Sequence, residues 1–380
     1  MVSILVTEYV VSTCSQEKCY RSLLSEAYGM VLAVTEALAR AGANVFVTVS
    51  KYVANCFENM NRIVVENSYM DFVEEMSKHV DYVIAIAPPL ELVEIVGRIG
   101  KKFLGPSYKL VKIFSNKYET TSTLSKCSVK TPYTKLLSRE DNVKNALKDF
   151  EMPIVIKPAM SAGSECNYIV NNVDEAIKYV EKAFGCDPLG HVVLQEYVEG
   201  VHGSISSVFN GEKLVFYSLN LQLVSLDGNR FVYRGNVLPI RNQRYVQWAR
   251  NILESMSSCL NGLGGYIGVD VVWNDSGMYV VEVNPRITTS AIGIANIYKD
   301  FGHVLLKTKS NGIFLGDVVN GYAYVVKASK ILRECLFTCS EISEEICKLV
   351  VGKASSLKEV FDIIGEETRN IIYRVDEDLF

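Results

Sequence analysis

The chain has 380 residues, 49% hydrophobic and 22% charged, and its 39 Lys and Arg against 43 Asp and Glu leave a net charge of −4. That length suits two or three domains with a sizeable core, and the composition excludes an intrinsically disordered chain. The mild acidity removes the electrostatic case for a nucleic-acid or anionic-membrane partner.

The apolar N-terminus breaks at Glu8 with no basic lead, which does not fit a signal peptide. No apolar run reaches the roughly 18 residues of a membrane helix, so a cytoplasmic protein is expected. Residues 4–7 read as a buried strand and residues 8–20 as a polar, turn-rich loop. Leu23, Ala27, Met30, Val31, Val34 and Leu38 then recur at helical spacing, with Gly42 as a stop. A second strand is predicted at 45–49, a helix at 69–76, a third strand at 82–87, a helix at 90–99 and a short strand at 102–104. This alternation predicts a parallel sheet flanked by helices over residues 1–106, with ligand-binding loops at the carboxyl ends of its strands. Glu8 and Tyr9 stand after the first strand, Glu91 after the third and Ser107 after the fourth, as candidates to hold a small polar substrate.

Residues 108–127 predict two short helices carrying Lys112, Lys117 and Lys126. A strand at 154–157 ends in Lys157-Pro158, and Ser161-Ala162-Gly163-Ser164 follows, small residues that let backbone N–H groups approach phosphate. The P-loop pattern is missing, and no G-x-G-x-x-G occurs. A helix at 174–184 and a strand at 192–198 come next. Antiparallel strands at 204–209, 214–223 and 231–238 are joined by turns at Asn210-Gly211 and Asp227-Gly228-Asn229, and a long helix spans 244–260.

Strands at 266–273 and 279–283 flank the hairpin turn Asp275-Ser276-Gly277. Glu282 and Asn284 stand two apart, so they emerge on one face of their strand. Asp270 lies on the paired strand. Two carboxylates placed so repel unless a cation or a base stands between them, and hard oxygens suit Mg²⁺. Arg286 follows Pro285 at once and suits charge developing on a transferred phosphoryl group. Thr288, Thr289 and Ser290 either bind a substrate carboxylate or cap the next helix, at 291–297. A strand at 322–327 follows, and amphipathic patterns such as 349–364 predict a helical segment over 331–380.

The ten cysteines form no C-x-x-C pair, and the four His show no metal-ligand spacing. Reduced thiols are expected, with a local disulfide at Cys14–Cys19 or Cys335–Cys339 as the alternative.

Taken in order, these motifs resemble the ATP-grasp superfamily over roughly residues 107–328. The resemblance implies an α/β protein: an N-terminal parallel-sheet pre-ATP-grasp domain over 1–106, then a two-subdomain ATP-grasp fold over 107–330 with its flap at about 118–198. It implies that Lys117 and Lys157 contact ATP, and that the loop of Ser161 and Gly163 closes over its phosphates. Gln195, Glu196, Tyr197 and Val198 resemble the adenine-contacting segment. His202 stands where many relatives carry a carboxylate for the ribose, and Glu199 is near. Asp270, Glu282 and Asn284 resemble the ligands of Mg²⁺ or Mn²⁺, and Arg286 the arginine that stabilises an acyl-phosphate. The implied activity is ATP-dependent joining of a small-molecule acid to an amine, in a homodimer as relatives often are; a non-catalytic ATP-binding protein with a regulatory or scaffold role is the alternative. The run E-x-N-P-R-x-T-T-S at 282–290, Glu8-Tyr9 with Ser22-Leu23-Leu24-Ser25-Glu26, and Lys157-Pro158 are most similar to the archaeal tyramine–glutamate ligases of methanofuran biosynthesis and their uncharacterised relatives. That likeness implies glutamate, and tyramine or a similar amine, as substrates.

Overall fold

In the computed structural model, residues 1–15, 21–66, 68–163, 165–306, 312–327, 349–368 and 371–372 are described. Strands β1 (Ser3–Glu8), β2 (Asn44–Val49), β3 (Asn61–Val64) and β4 (Tyr82–Ile86) form an all-parallel sheet in the order β3-β2-β1-β4. Alternation along β1 divides its side chains between two cores. Ile4 and Val6 join Val31, Val34 and Leu38 of the helix Arg21–Arg40. Leu5 joins Val73, Leu92 and Ile95 of the helices Tyr69–Ser77 and Pro89–Ile99. The chain turns back between β1 and β4, so a crevice opens beyond their carboxyl ends, where Glu8 pairs in register with Ile86.

A second, 12-stranded sheet carries β5 (Thr134–Leu137), β6 (Ile154–Pro158), β7 (Tyr168–Val170), β8 (Val192–Glu196), β9 (Val201–Asn210), β10 (Lys213–Asp227), β11 (Arg230–Leu238), β12 (Gly265–Asn274) and β13 (Gly277–Asn284). Its main order is β13-β12-β9-β10-β11-β7-β6-β8-β5. β14 (Ile313–Phe314) pairs with β10, and β15 (Tyr322–Lys327) with β11 and with β16 (Leu349–Ala354). The strands β5 to β8 have their own core, in which Ile154, Ile156 and Leu194 meet Val180 and Phe184 of the helix Val173–Cys186. They join β11 through a single register pair, Arg230 with Tyr168. A parallel α/β sheet followed by a large, mainly antiparallel sheet in two parts is the fold class expected from the sequence. The helix Arg21–Arg40 packs on the helix Ser290–Ile297, and Gly29 permits the approach, since a Cβ there would meet Ile292 Cδ1 at 2.8 Å.

Several expectations need correction. The segment after β1 is not all loop: Tyr9–Thr13 is helical, because the Glu8 carboxylate caps it by accepting from the Val11 N–H at 2.6 Å. Residues 16–20 lie outside those described. The strand expected at 102–104 reduces to one bridge between Phe103 and Val83. The C-terminal stretch is not wholly helical. Residues 349–364 divide into the strand β16, whose Leu349, Val350 and Val351 favour an extended chain, and the helix Leu357–Thr368. Ser355 and Ser356 separate them: the Ser355 N–H donates to Glu359 Oε2 at 2.8 Å, and the Glu359 N–H to Ser356 Oγ at 3.2 Å. Residues 328–348 lie outside the description. The thiols are not all reduced, since disulfides join Cys127 to Cys259 and Cys166 to Cys186, and Cys14 and Cys56 are disulfide-bonded as well. Cys127 and Cys259 stand at the carboxyl ends of two helices, with Cα atoms 5.6 Å apart, a closeness that a sequence separation of 132 hides. Cys19, Cys335 and Cys339 lie outside the described residues, so neither local pairing is described.

Candidate active site

A cleft of about 1490 Å³, counting the part open to solvent, lies between the carboxyl ends of β1 and β4, strands β6 and β8, and the β12–β13 hairpin. Asp270 and Glu282 are direct cross-strand partners. The register slips by one residue beside Asp270, leaving Val281 as a bulge that re-aims this end of β13. Burial, with the Glu282 charge added, pushes the Asp270 carboxyl well above the usual carboxylate range. Two amides hold that carboxylate: Gln222 Nε2 donates to Oδ1 at 2.9 Å, and Asn284 Nδ2 to Oδ2 at 3.2 Å. The Lys117 ammonium stands 3.6 Å from Glu282 Oε2. Among the described residues no group of three His, Cys, Asp or Glu is placed to hold a metal. Two carboxylates and an amide suit Mg²⁺, which takes few protein ligands and completes its shell with water and phosphate oxygens. The raised Asp270 carboxyl fits that reading, because a cation would relieve the repulsion.

Lys157 ends β6 inside the cleft, and its ammonium donates to Gln195 Oε1 at 2.8 Å. Thr134 Oγ1 accepts from the other side of that amide at 3.1 Å, which fixes its orientation. Burial pushes the Lys157 ammonium down to about 8, and Glu282 and Asp270 act against that shift. His202 faces Phe231, ring centroids 6.1 Å apart, and burial with the Lys157 charge pushes it down to about 4, so it is neutral at pH 7. Glu196, Tyr197 and Val198 line the same part of the cleft as Phe231 and Val155.

Arg286 follows β13, and its Nη1 donates to the Ile287 carbonyl at 3.0 Å. Burial lowers its pKa, with Glu282, Glu8 and Asp270 acting to raise it. Thr288 and Ser290 extend a buried polar floor. Tyr266 bonds Thr288 Oγ1 at 2.7 Å and Ser206 Oγ at 2.8 Å, and Ser290 Oγ lies 3.3 Å from Ser204 Oγ. Gly268 makes room for this floor, because a Cβ there would come within 2.6 Å of Thr288 Cγ2. Thr289 instead donates to Glu26 Oε2 at 2.7 Å.

Of the residues expected at a site, the structure brings Glu8, Lys157, Gly163, Gln195, Glu196, Tyr197, Val198, His202, Asp270, Glu282, Asn284, Arg286, Thr288, Thr289 and Ser290 to one cleft. Tyr9, Lys117 and Ser161 stand apart from its lining, and so do Glu91 and Ser107, expected as loop residues holding a small polar substrate. Tyr9 turns its ring onto Tyr69, edge to face at 5.4 Å, because the helix it begins points it into the first sheet's core. Lys117 is buried behind Glu282, where it donates to the Ser161 carbonyl at 2.9 Å, and this draws Ser161 in with it. Sequence reasoning missed Gln222 and Glu26. Ser218, Asn220 and Gln222 alternate with leucines, the pattern of a solvated strand face, yet Ser218 and Asn220 are fully buried.

The ATP-grasp domain family matches residues 114–290. The chain is similar to the tyramine–L-glutamate ligase of Methanocaldococcus jannaschii, 28% identical over 240 residues, which cover 62% of this chain and 65% of that protein, just under two thirds of its length. Among solved structures it is similar to an ATP-grasp superfamily protein of Archaeoglobus fulgidus, with a TM-score of 0.67, 21% identity and coverage of 94% and 100% of the two chains. It is also similar to the phosphoribosylamine–glycine ligase of Thermotoga maritima, with a TM-score of 0.70, 16% identity and 97% coverage of each. Identities this low speak to the fold, and the fold is ATP-grasp.

Proposed function

We propose that this ATP-grasp chain is an ATP-dependent carboxylate–amine ligase. A substrate carboxylate oxygen attacks the γ-phosphorus of ATP, the bond to the β-phosphate oxygen breaks, and ADP leaves with the electron pair. The amine then attacks the acyl carbon of the resulting acyl-phosphate. A C–N bond forms, the C–O bond breaks, and phosphate leaves. Catalysis of this kind is positioning and charge neutralisation rather than covalent work by the protein.

The residues divide the task. Lys157, held by Gln195, meets the phosphates, and the neutral His202 with Tyr197 and Phe231 forms the nucleoside wall. Asp270, Glu282 and Asn284 would hold Mg²⁺, which neutralises phosphate charge. Lys117 sits behind this set and steadies Glu282 and the Ser161 loop. Arg286 faces the transferred phosphoryl group and the carbonyl oxygen, and Thr288 and Ser290 orient the acid. One observation carries the reading: a half-buried guanidinium stands at the end of the strand whose carboxylate pairs with Asp270, inside the cleft that holds Lys157. The similarity to a tyramine–glutamate ligase supports glutamate and tyramine as the pair to try first. Phosphate release from Mg-ATP should require both compounds. Release that needs neither, or that needs the acid alone without trapping an acyl-phosphate, would refute the ligase reading.

A further inference from the structure

The motif Ser22-Leu23-Leu24-Ser25-Glu26 has no part in the reaction described above, yet it opens onto the cleft. Leu23, Glu26, Ala27 and Met30 follow the i, i+3, i+4, i+7 spacing of one helix face, and all of them line the cleft beside Val10 and Glu8. The wall is apolar apart from two carboxylates that differ in their surroundings. Glu26 is matched, facing the Lys327 ammonium and accepting from Thr289. Glu8 is 3% exposed and lines the cleft, with one oxygen fixed by the Val11 N–H and the Arg286 guanidinium near enough to act on its charged form.

We infer that this end of the cleft is the amine subsite, taking a primary ammonium on an apolar body, with Glu8 holding the nitrogen and Leu23, Ala27 and Met30 the body. The inference rests on the ligase reading and assigns its second substrate. The acid has its place at Arg286, Thr288 and Ser290. A second carboxylate in this wall would face the ion-paired Glu26 and keep Glu8 protonated, whereas an ammonium finds an acceptor at Glu8, next to the carbonyl that Arg286 polarises. The protonation of Glu8 agrees with this. Burial pushes its carboxyl up to about 8, so it is neutral in the free cleft at pH 7. The ionisable groups around it are Arg286 and Tyr69, and burial keeps the Tyr69 phenol protonated. A bound ammonium favours the carboxylate and releases the proton to solvent.

The test is calorimetry on the full chain with MgADP, titrated with 2-phenylethylamine and with 3-phenylpropanoate. The amine should bind and release protons at pH 7, seen as a heat that changes with the buffer's ionisation enthalpy. Glu8→Gln keeps the acceptor for the Val11 N–H, and should weaken the amine at least tenfold and abolish the proton release. Ala27→Trp fills the wall and should abolish amine binding. MgADP binding retained in both variants shows that they are folded. Preference for 3-phenylpropanoate, no amine binding, or amine binding untouched by both variants would overturn the assignment. The ligase reading is judged separately, by hydroxamate formation from ATP, glutamate and hydroxylamine, a nucleophile too small to need this wall.

Discussion

The two ends of the cleft are built from different elements. At one end Lys157, Gln222, Asp270 and Glu282 come from β6, β10, β12 and β13, and the sheet's register fixes their separation. At the other, Leu23, Glu26, Ala27 and Met30 come from one face of one helix, against the carboxyl ends of β1 and β4. A strand-borne group is locked by hydrogen-bonded neighbours on both sides and cannot move without breaking the ladder. A helix-face residue can change size while its backbone stays. On the proposed ligase reading, reaction chemistry belongs to the first end and choice of substrate to the second.

The largest effect should follow removal of the charge at the strand end. Arg286→Ala should lower kcat at least ~100-fold, about 3 kcal/mol of barrier, with the melting temperature little changed. A near-normal kcat would take Arg286 out of the chemistry. Gln222→Leu removes the donor to Asp270 Oδ1, and should raise the Mg²⁺ concentration needed for half-maximal rate by about tenfold while kcat at saturating Mg²⁺ stays close to normal. At the helix end, Leu23→Ala should raise the amine KM severalfold, leaving kcat within about twofold and the ATP KM unchanged. A fall in kcat as deep as that of Arg286→Ala would erase the distinction between the ends.

The remaining prediction reads stability against pH instead of turnover. The Glu8 carboxyl is raised from 4.5 to about 8 in the folded chain, so between those values the folded state holds a proton that the unfolded state has lost. Glu8 therefore withdraws stability as pH rises through that window. Glu8→Gln should show a shallower loss, and its melting temperature relative to the parent should climb from pH 5 to pH 8. Parallel curves would mean that Glu8 is ionised and solvated.

How much of this was legible in the sequence follows from the range of each signal. The valine and isoleucine runs of β1, β2 and β4 carry their own period, and so does the Glu282–Asn284 alternation beside a hairpin turn. The pairing of Asp270 with Glu282 followed from that turn, though the Val281 bulge did not, because a bulge depends on what packs behind the strand. Glu26 was illegible as a cleft residue, since only the docking of its helix on Ser290–Ile297 brings it to Thr289, 263 residues later. Gln222 was hidden for the opposite reason: its pattern was visible but carries one meaning on an exposed strand and another on a covered one. The Cys127–Cys259 bridge needed two helix ends to meet, which spacing alone does not specify.

The central claim is that phosphate is transferred to the substrate carboxylate before the amine is joined. Glutamate labelled with ¹⁸O in its carboxylates, incubated with Mg-ATP, tyramine and the protein, tests it directly by mass spectrometry of the released phosphate. One ¹⁸O atom in each phosphate formed is the predicted result. Turnover that releases phosphate with no label from the acid would contradict the acyl-phosphate and the roles given to Arg286, Thr288 and Ser290.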